Sequence, residues 1–210
     1  ATTATEEFNT GVAVGAWSTG GDLNTARKYM AGAGTQTAAL GFGGASPVPS
    51  LALTESYNGT SWTEVNDLNT ARYAMGGAGT QTAALGFGGY IPGSLALTEI
   101  WNGTNWTEVN DLNAARRYLA GAGATNTAAL AFGGTPNTAA TETWNGTNWT
   151  EVNDLNTARQ SLAGTGTNTA ALAFGGNTGP GAVTETWNGT NWTEVGDLNT
   201  ARSYLAGAGT

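Results

Sequence analysis

Cysteine and histidine are both absent from the 210 residues. Without cysteine there is no disulfide framework, no thiolate metal site and no cysteine nucleophile. Without histidine the usual general base and the commonest metal ligand are gone as well. Ser-His-Asp, Cys-His and histidine–zinc chemistries are therefore excluded together, and neither a metal nor a cofactor is expected. Charge is sparse and one-sided, with 7 Lys+Arg against 15 Asp+Glu and a formal net charge of −8. An acidic surface repels phosphate, so nucleic acid is not an expected partner. No apolar run approaches the roughly 20 residues a spanning helix needs, so membrane insertion is not expected either. The opening residues, ATTATEEFNT, lack the basic and apolar regions of a signal peptide. They read as the middle of a repeat, so the natural chain is expected to begin earlier or to have been trimmed.

What is present is repetition. DLNTAR or DLNAAR begins at Asp22, Asp67, Asp111, Asp154 and Asp197, at spacings of 45, 44, 43 and 43. A tryptophan recurs in step at Trp17, Trp62, Trp106, Trp149 and Trp192, and FGG ends at Gly44, Gly89, Gly134 and Gly176. A period in the forties with Gly-Gly and Trp in each unit predicts propeller blades of four strands. Within one unit, RYLAGAG, TAALAFGG, ATETWNG and NWTEV read as strands a to d. Ala128, Leu130 and Phe132 alternate as a half-buried strand requires, and Asn-Gly closes a tight hairpin between c and d. No segment has a helical period, and glycine and threonine are everywhere.

The order of arginine, Gly-rich strand, FGG, Thr-Glu, aromatic and Trp resembles the kelch repeat over essentially the whole chain. The wording of NGTSWTEVNDLNTAR with AGAGTQTAALGFGG is also similar to kelch-like arrays in virion and tail proteins of marine bacteriophages. The expected fold is all-β, a five-bladed kelch-like propeller forming one domain over 1–210. Its units are 22–66, 67–110, 111–153 and 154–196, with a closing blade made from 1–21 plus 197–210. Strand c of that blade is expected at 2–8, strand d around Trp17 and strand a at 201–209. A second strand of the TNTAALAFGG type is missing from it, which predicts a partial fifth blade or a chain that continues in nature. Small residues in the innermost strands (AGAG at 31–34 and 120–123, GGAG at 76–79, AGTG at 163–166) suit the crowded axis of a small propeller.

Candidate sites divide into repeated and divergent positions. The tryptophans Trp62, Trp106, Trp149 and Trp192 could stack on sugars, but one aromatic per blade at a fixed strand position favours core between sheets. Exposure is more plausible for Tyr57, Trp101, Trp144 and Trp187, just before the c–d turn, than for the first set, although a core role is favoured for them too. Arg27, Arg72, Arg116, Arg159 and Arg202, with the recurrent Asp and with Glu6, Glu55, Glu99, Glu142 and Glu185, could ring a substrate. A fivefold charge pair reads better as scaffold, because guanidinium can tie loop carbonyls and a carboxylate together. No carboxylate pair is singled out for glycoside hydrolysis. The NGT and NWT sequons, among them those at Asn58, Asn105 and Asn148, are explained by turn chemistry.

Divergent positions are more informative. Directly after the arginine stand Lys28, Tyr73, Arg117, Gln160 and Ser203, the most varied column in a copied strand. The b–c loops also vary, with Tyr90 and Ile91 in the second. Strand alternation brings that column and those loops to one mouth of the channel, and binding is commonly carried by variable loops on a rigid scaffold. The expectation is a non-enzymatic recognition or structural module, extracellular or in a virion. The phage-like resemblance implies a virion appendage whose partners are a host-surface glycan or protein, or other virion proteins. A lectin with several equivalent sugar pockets is the alternative, and a kelch-type sugar-modifying enzyme a more remote one.

Overall fold

The computed structural model describes residues 6–9, 16–47, 49–177 and 181–209. Four antiparallel four-stranded sheets carry the fold, and the described residues contain no helix. The first sheet holds β3 (Ala31–Thr35), β4 (Ala38–Phe42), β5 (Thr54–Tyr57) and β6 (Trp62–Val65). The second holds β7 (Gly76–Thr80), β8 (Ala83–Phe87), β11 (Thr98–Trp101) and β12 (Trp106–Val109). Its b–c loop carries a small unanticipated hairpin, β9 (Tyr90–Ile91) with β10 (Gly93–Ser94). The third holds β13 (Ala120–Thr125), β14 (Ala128–Phe132), β15 (Thr141–Trp144) and β16 (Trp149–Val152). The fourth holds β17 (Ala163–Gly166), β18 (Ala171–Phe174), β19 (Thr184–Trp187) and β20 (Trp192–Glu194). Each sheet runs in sequence order as a meander, and the result is propeller-like.

Two further pieces stand apart. β1 (Glu6–Asn9) and β2 (Ala16–Thr19) form a two-stranded sheet in which Phe8 opposes Trp17. That is the register in which Tyr57 opposes Trp62. Of the first strand expected at 2–8, the residues before Glu6 lie outside the described ones. The strand expected at 201–209 does not form: no residue there is paired into a ladder. A strand is defined by its ladder, and among the described residues no strand pairs with this segment in one. The segment still packs on its neighbour, for Gly166 N–H and the Thr165 hydroxyl donate to the Gly209 carbonyl at 3.3 and 2.7 Å.

Turn chemistry sets each outer hairpin. The Asn58 side-chain oxygen accepts from the N–H groups of Thr60 and Ser61, both at 3.0 Å. Gly59 follows at φ 90°, left-handed backbone that glycine adopts without steric cost. Close approach governs the inner strands instead. A Cβ on Gly77, Gly121, Gly164 or Gly207 would lie 2.7, 2.6, 2.8 or 2.4 Å from the carbonyl oxygen of the matching glycine one sheet earlier. No side chain fits there, which is why the innermost strands are written in glycine and alanine.

The core lies between sheets. The phenylalanine ending each second strand meets the tryptophan opening the next sheet's fourth: Phe42 with Trp106 at 4.8 Å, Phe87 with Trp149 at 5.0 Å, Phe132 with Trp192 at 4.9 Å. Those three phenylalanines are fully buried, each contributing about 1.5–3 kcal/mol by removal from water. The indole N–H groups are satisfied across the same junctions. Trp106, Trp149 and Trp192 donate to the hydroxyls of Thr54, Thr98 and Thr141 at 3.0, 3.0 and 3.1 Å.

Candidate functional site

The repeated charges are internal ties. Arg27, Arg72, Arg116 and Arg159 are buried, and their guanidinium groups meet Glu55, Glu99, Glu142 and Glu185 at 3.1, 3.0, 2.7 and 3.2 Å. Arg116 also donates to the carbonyls of Gly133 and Ala140 at 3.0 and 2.7 Å. Burial pulls all four arginines below their ordinary pKa, and the facing glutamates oppose that pull. The same glutamates hold the connection between sheets: the backbone N–H groups of Asn24, Asn69, Asn113 and Asn156 donate to them at 2.7–2.8 Å. Asp67, Asp111, Asp154 and Asp197 accept from the first N–H of each third strand. Every carboxylate of this set has a structural duty. Arg202 departs from it, being exposed with Nε directed at the Thr200 carbonyl.

Repeated aromatics are also internal. Trp106, Trp149 and Trp192 are each 5% exposed. Tyr57, Trp101, Trp144 and Trp187, more open to exposure than the first set by their place in the sequence but still read chiefly as core, are buried too. Their place before the turn does not expose them because the turn of a neighbouring hairpin covers them: the indoles of Trp101, Trp144 and Trp187 donate to the carbonyls of Gln81, Asn126 and Asn168. Buried rings cannot stack on a ligand. Trp62 is half-buried.

The divergent column behaves differently. Lys28, Tyr73 and Arg117 form isolated bridges with Ala45, Tyr90 and Thr135, the first residues of their own b–c loops. Gln160 joins the set, its carbonyl accepting from Asn177 N–H at 3.0 Å and its side chain in close contact with the Thr135 hydroxyl. Column and loops are thus brought together, as expected. Ser203 is half-buried, and among the described residues no b–c loop of its own unit pairs with it. Ile91 lies on β9, half-buried beside Tyr90.

One position further along the chain is a second column that sequence reasoning passed over: Tyr29, Ala74, Tyr118, Ser161 and Tyr204. All five have left-handed backbone, φ 54–57°, although none is glycine. Such a conformation costs about 1–2 kcal/mol per residue. Its return is a relay between sheets. Ala74 N–H donates to Tyr29 C=O, Tyr118 to Ala74, Ser161 to Tyr118 and Tyr204 to Ser161, at 2.8–2.9 Å. The tyrosine rings gather over the axis, with Tyr118 at 5.8 Å from Tyr29 and 5.7 Å from Tyr204, and Tyr29 at 5.9 Å from Tyr204. Beneath them is a cavity of about 440 Å³ lined by Tyr29, Ala74, Tyr118, Ser161 and Tyr204 among others.

The two columns form one aromatic and cationic surface. Tyr73 stacks on Tyr29 at 6.1 Å and meets Tyr90 edge-on at 5.3 Å. The Arg117 guanidinium lies 4.5 Å from the Tyr90 ring centre, and Lys28 Nζ 5.3 Å from that of Tyr29. Burial, then the neighbouring Tyr204, Tyr29 and Tyr73, raise the Tyr118 pKa, against a smaller lowering by Arg117. Of the seven cations in the chain, five are the repeated arginines and the other two, Lys28 and Arg117, stand here. Among the described residues no group of three or more acidic side chains is arranged to hold a metal.

No protein-family model matches the chain, and no curated protein matches it. Its fold is similar to the solved structure of YjhT, with a TM-score of 0.80 over 97% of this chain and 80% of that one. The two sequences are 12% identical, so the likeness is one of fold alone.

Proposed function

We propose that the chain is a five-unit, kelch-like propeller serving as a non-enzymatic recognition module. In this reading the fifth unit combines the β1–β2 hairpin with residues 201–209. The matching register of Phe8 with Trp17 supports it, as does the 5.9 Å approach of Tyr204 to Tyr29 between the last unit and the first. The ligand is a glycan or protein on a cell surface. The module belongs to an extracellular assembly such as a phage virion appendage.

One observation carries the proposal: two of the three cations not used as internal ties, Lys28 and Arg117, sit among exposed or half-exposed tyrosines at one mouth of the axis. Tyrosine faces suit sugar rings and apolar patches, and arginine supplies directional donors to hydroxyls or carboxylates. Burial of the repeated tryptophans favours this one mouth over several equivalent sugar pockets. Assignment of the repeated Arg–Glu pairs to scaffold favours binding over catalysis.

The test is a glycan array and a host-cell binding assay with the intact chain, followed by Arg117→Ala and Tyr90→Ala. Each substitution is expected to weaken binding at least about tenfold while leaving the melting temperature near that of the parent. Undiminished binding by both variants would remove the mouth as the site. Sugar turnover abolished by one glutamate substitution would overturn the non-enzymatic reading.

A further inference from the structure

Ser161 carries the one aliphatic hydroxyl of the left-handed column. It is 5% exposed, and its Oγ is buried without a hydrogen-bond partner. It lines the cavity of about 440 Å³ beneath the tyrosines, together with Met30, Met75, Leu119, Leu162 and Leu205. A buried hydroxyl left without a partner costs about 1–3 kcal/mol. A water would relieve that cost poorly, because an ordered buried water takes about two to four polar partners and the Leu and Met side chains offer none. The matching residue two units earlier, Ala74, holds the same backbone at φ 57° and has no such hydroxyl to satisfy. Charge at this mouth is of one sign. Among the described residues no ion pair involves Lys28 or Arg117, and no acidic residue lines the cavity.

We infer that the ligand of this mouth is a protein that anchors itself with a tyrosine. The ring enters the cavity, its phenolic O–H meets Ser161 Oγ, and carboxylates flanking the tyrosine meet Lys28 and Arg117. This rests on the mouth being the recognition surface and narrows its ligand to one class. A sugar ring carries hydroxyls around its whole edge, and each one that is buried needs a partner. A wall of Leu and Met with a single unpaired aliphatic hydroxyl suits the opposite distribution, an apolar body with one polar tip. Tyrosine has that form, and it loses little conformational freedom on being anchored. Tyr29, Tyr118 and Tyr204 offer it ring contacts of the kind they already make with one another. The carboxylates fix register and speed association more than they add affinity.

The probe is the acetylated and amidated peptide Glu-Glu-Tyr-Glu-Glu, titrated by calorimetry into the intact chain at low salt beside its phenylalanine counterpart. Expected is saturable one-to-one binding of the tyrosine peptide, about three- to tenfold tighter than the phenylalanine peptide. Ser161→Ala is expected to abolish that difference by weakening the tyrosine peptide alone. Its melting temperature should not fall, since Ala74 already holds the same backbone. Ala74→Tyr puts a fourth tyrosine in the column and is expected to fill the cavity, weakening both peptides at least about tenfold. Arg117→Ala is expected to weaken both and to flatten their salt dependence. An undiminished preference for tyrosine in Ser161→Ala overturns the inference, as does absence of saturable binding at about 1 mM peptide. So does a free glycan whose binding is lost in Arg117→Ala, a result that would leave the mouth standing as the recognition surface. Host-cell binding undiminished in both Arg117→Ala and Tyr90→Ala would remove the mouth, and the inference with it.

Discussion

The junction between the second and third sheets and the last copy of the repeat, residues 197–209, are built from the same words, yet the motif residues are packed differently. Between sheets two and three, Arg116 is buried against Glu142, Phe87 is sealed under Trp149, and Asn110 reaches the Thr147 carbonyl and Asn148 across the gap at 3.0 and 2.8 Å. In the last copy Arg202 is exposed and Leu198 is half-buried where Leu155 is buried, and Phe174 of the adjoining fourth sheet is half-buried. The bridging asparagine itself is gone from both flanks, replaced by Gly21 and Gly196. A repeat's motif does not have a fixed energetic worth. Its arginine and phenylalanine become structural only when the neighbouring strand exists to bury them.

That difference can be broken by substitution, the largest contrast first. Arg116→Met leaves Glu142 buried without its counter-charge and is expected to cost about 3–5 kcal/mol in chemical denaturation. Arg202→Met, at an exposed site, is expected to cost under about 1 kcal/mol. Equal losses would mean that the last copy of the repeat is packed as closely as the others. Next, Phe132→Ala is expected to cost about 3–5 kcal/mol, and Phe174→Ala measurably less, because its ring is already partly in water. The smallest effect concerns the mouth. Tyr118 should ionise above the ordinary tyrosine range when absorbance near 295 nm is followed through the alkaline range, and Tyr118→Phe should remove that late phase. The sign follows from its raised pKa: the stability it adds is present below the ordinary tyrosine value of about 10 and is lost as pH rises through the higher folded value. A single uniform titration would show that the tyrosine cluster is open to solvent.

Much of the architecture is legible in the residues. Alternation in Ala128, Leu130 and Phe132 gives β14, the Asn-Gly turns place every outer hairpin, and glycine in the inner strands announces close approach. The pairing of Arg with Glu as scaffold also follows from its repetition. The tyrosine column was not legible for a physical reason. A left-handed residue is ordinarily betrayed by glycine or asparagine, but here tyrosine, alanine and serine hold that conformation because hydrogen bonds between sheets impose it. The repeated Tyr after Lys28, Arg117 and Ser203 was the available hint. Segment 201–209 misled in the opposite direction: it has every residue of a strand, but strand formation depends on a partner the segment does not contain. The change from Asn66, Asn110 and Asn153 to Gly21 and Gly196 marked that seam in plain letters.

The relay of left-handed residues has a consequence for how such a surface can change. Its donors and acceptors are all main-chain atoms, so the hydrogen bonds of the relay do not depend on which side chain Tyr29, Ala74, Tyr118, Ser161 or Tyr204 bears. The five positions can therefore differ between copies, within the limits set by their left-handed backbone and by the burial of Ala74 and Ser161. The repeat supplies the relay, and each copy can vary on it separately.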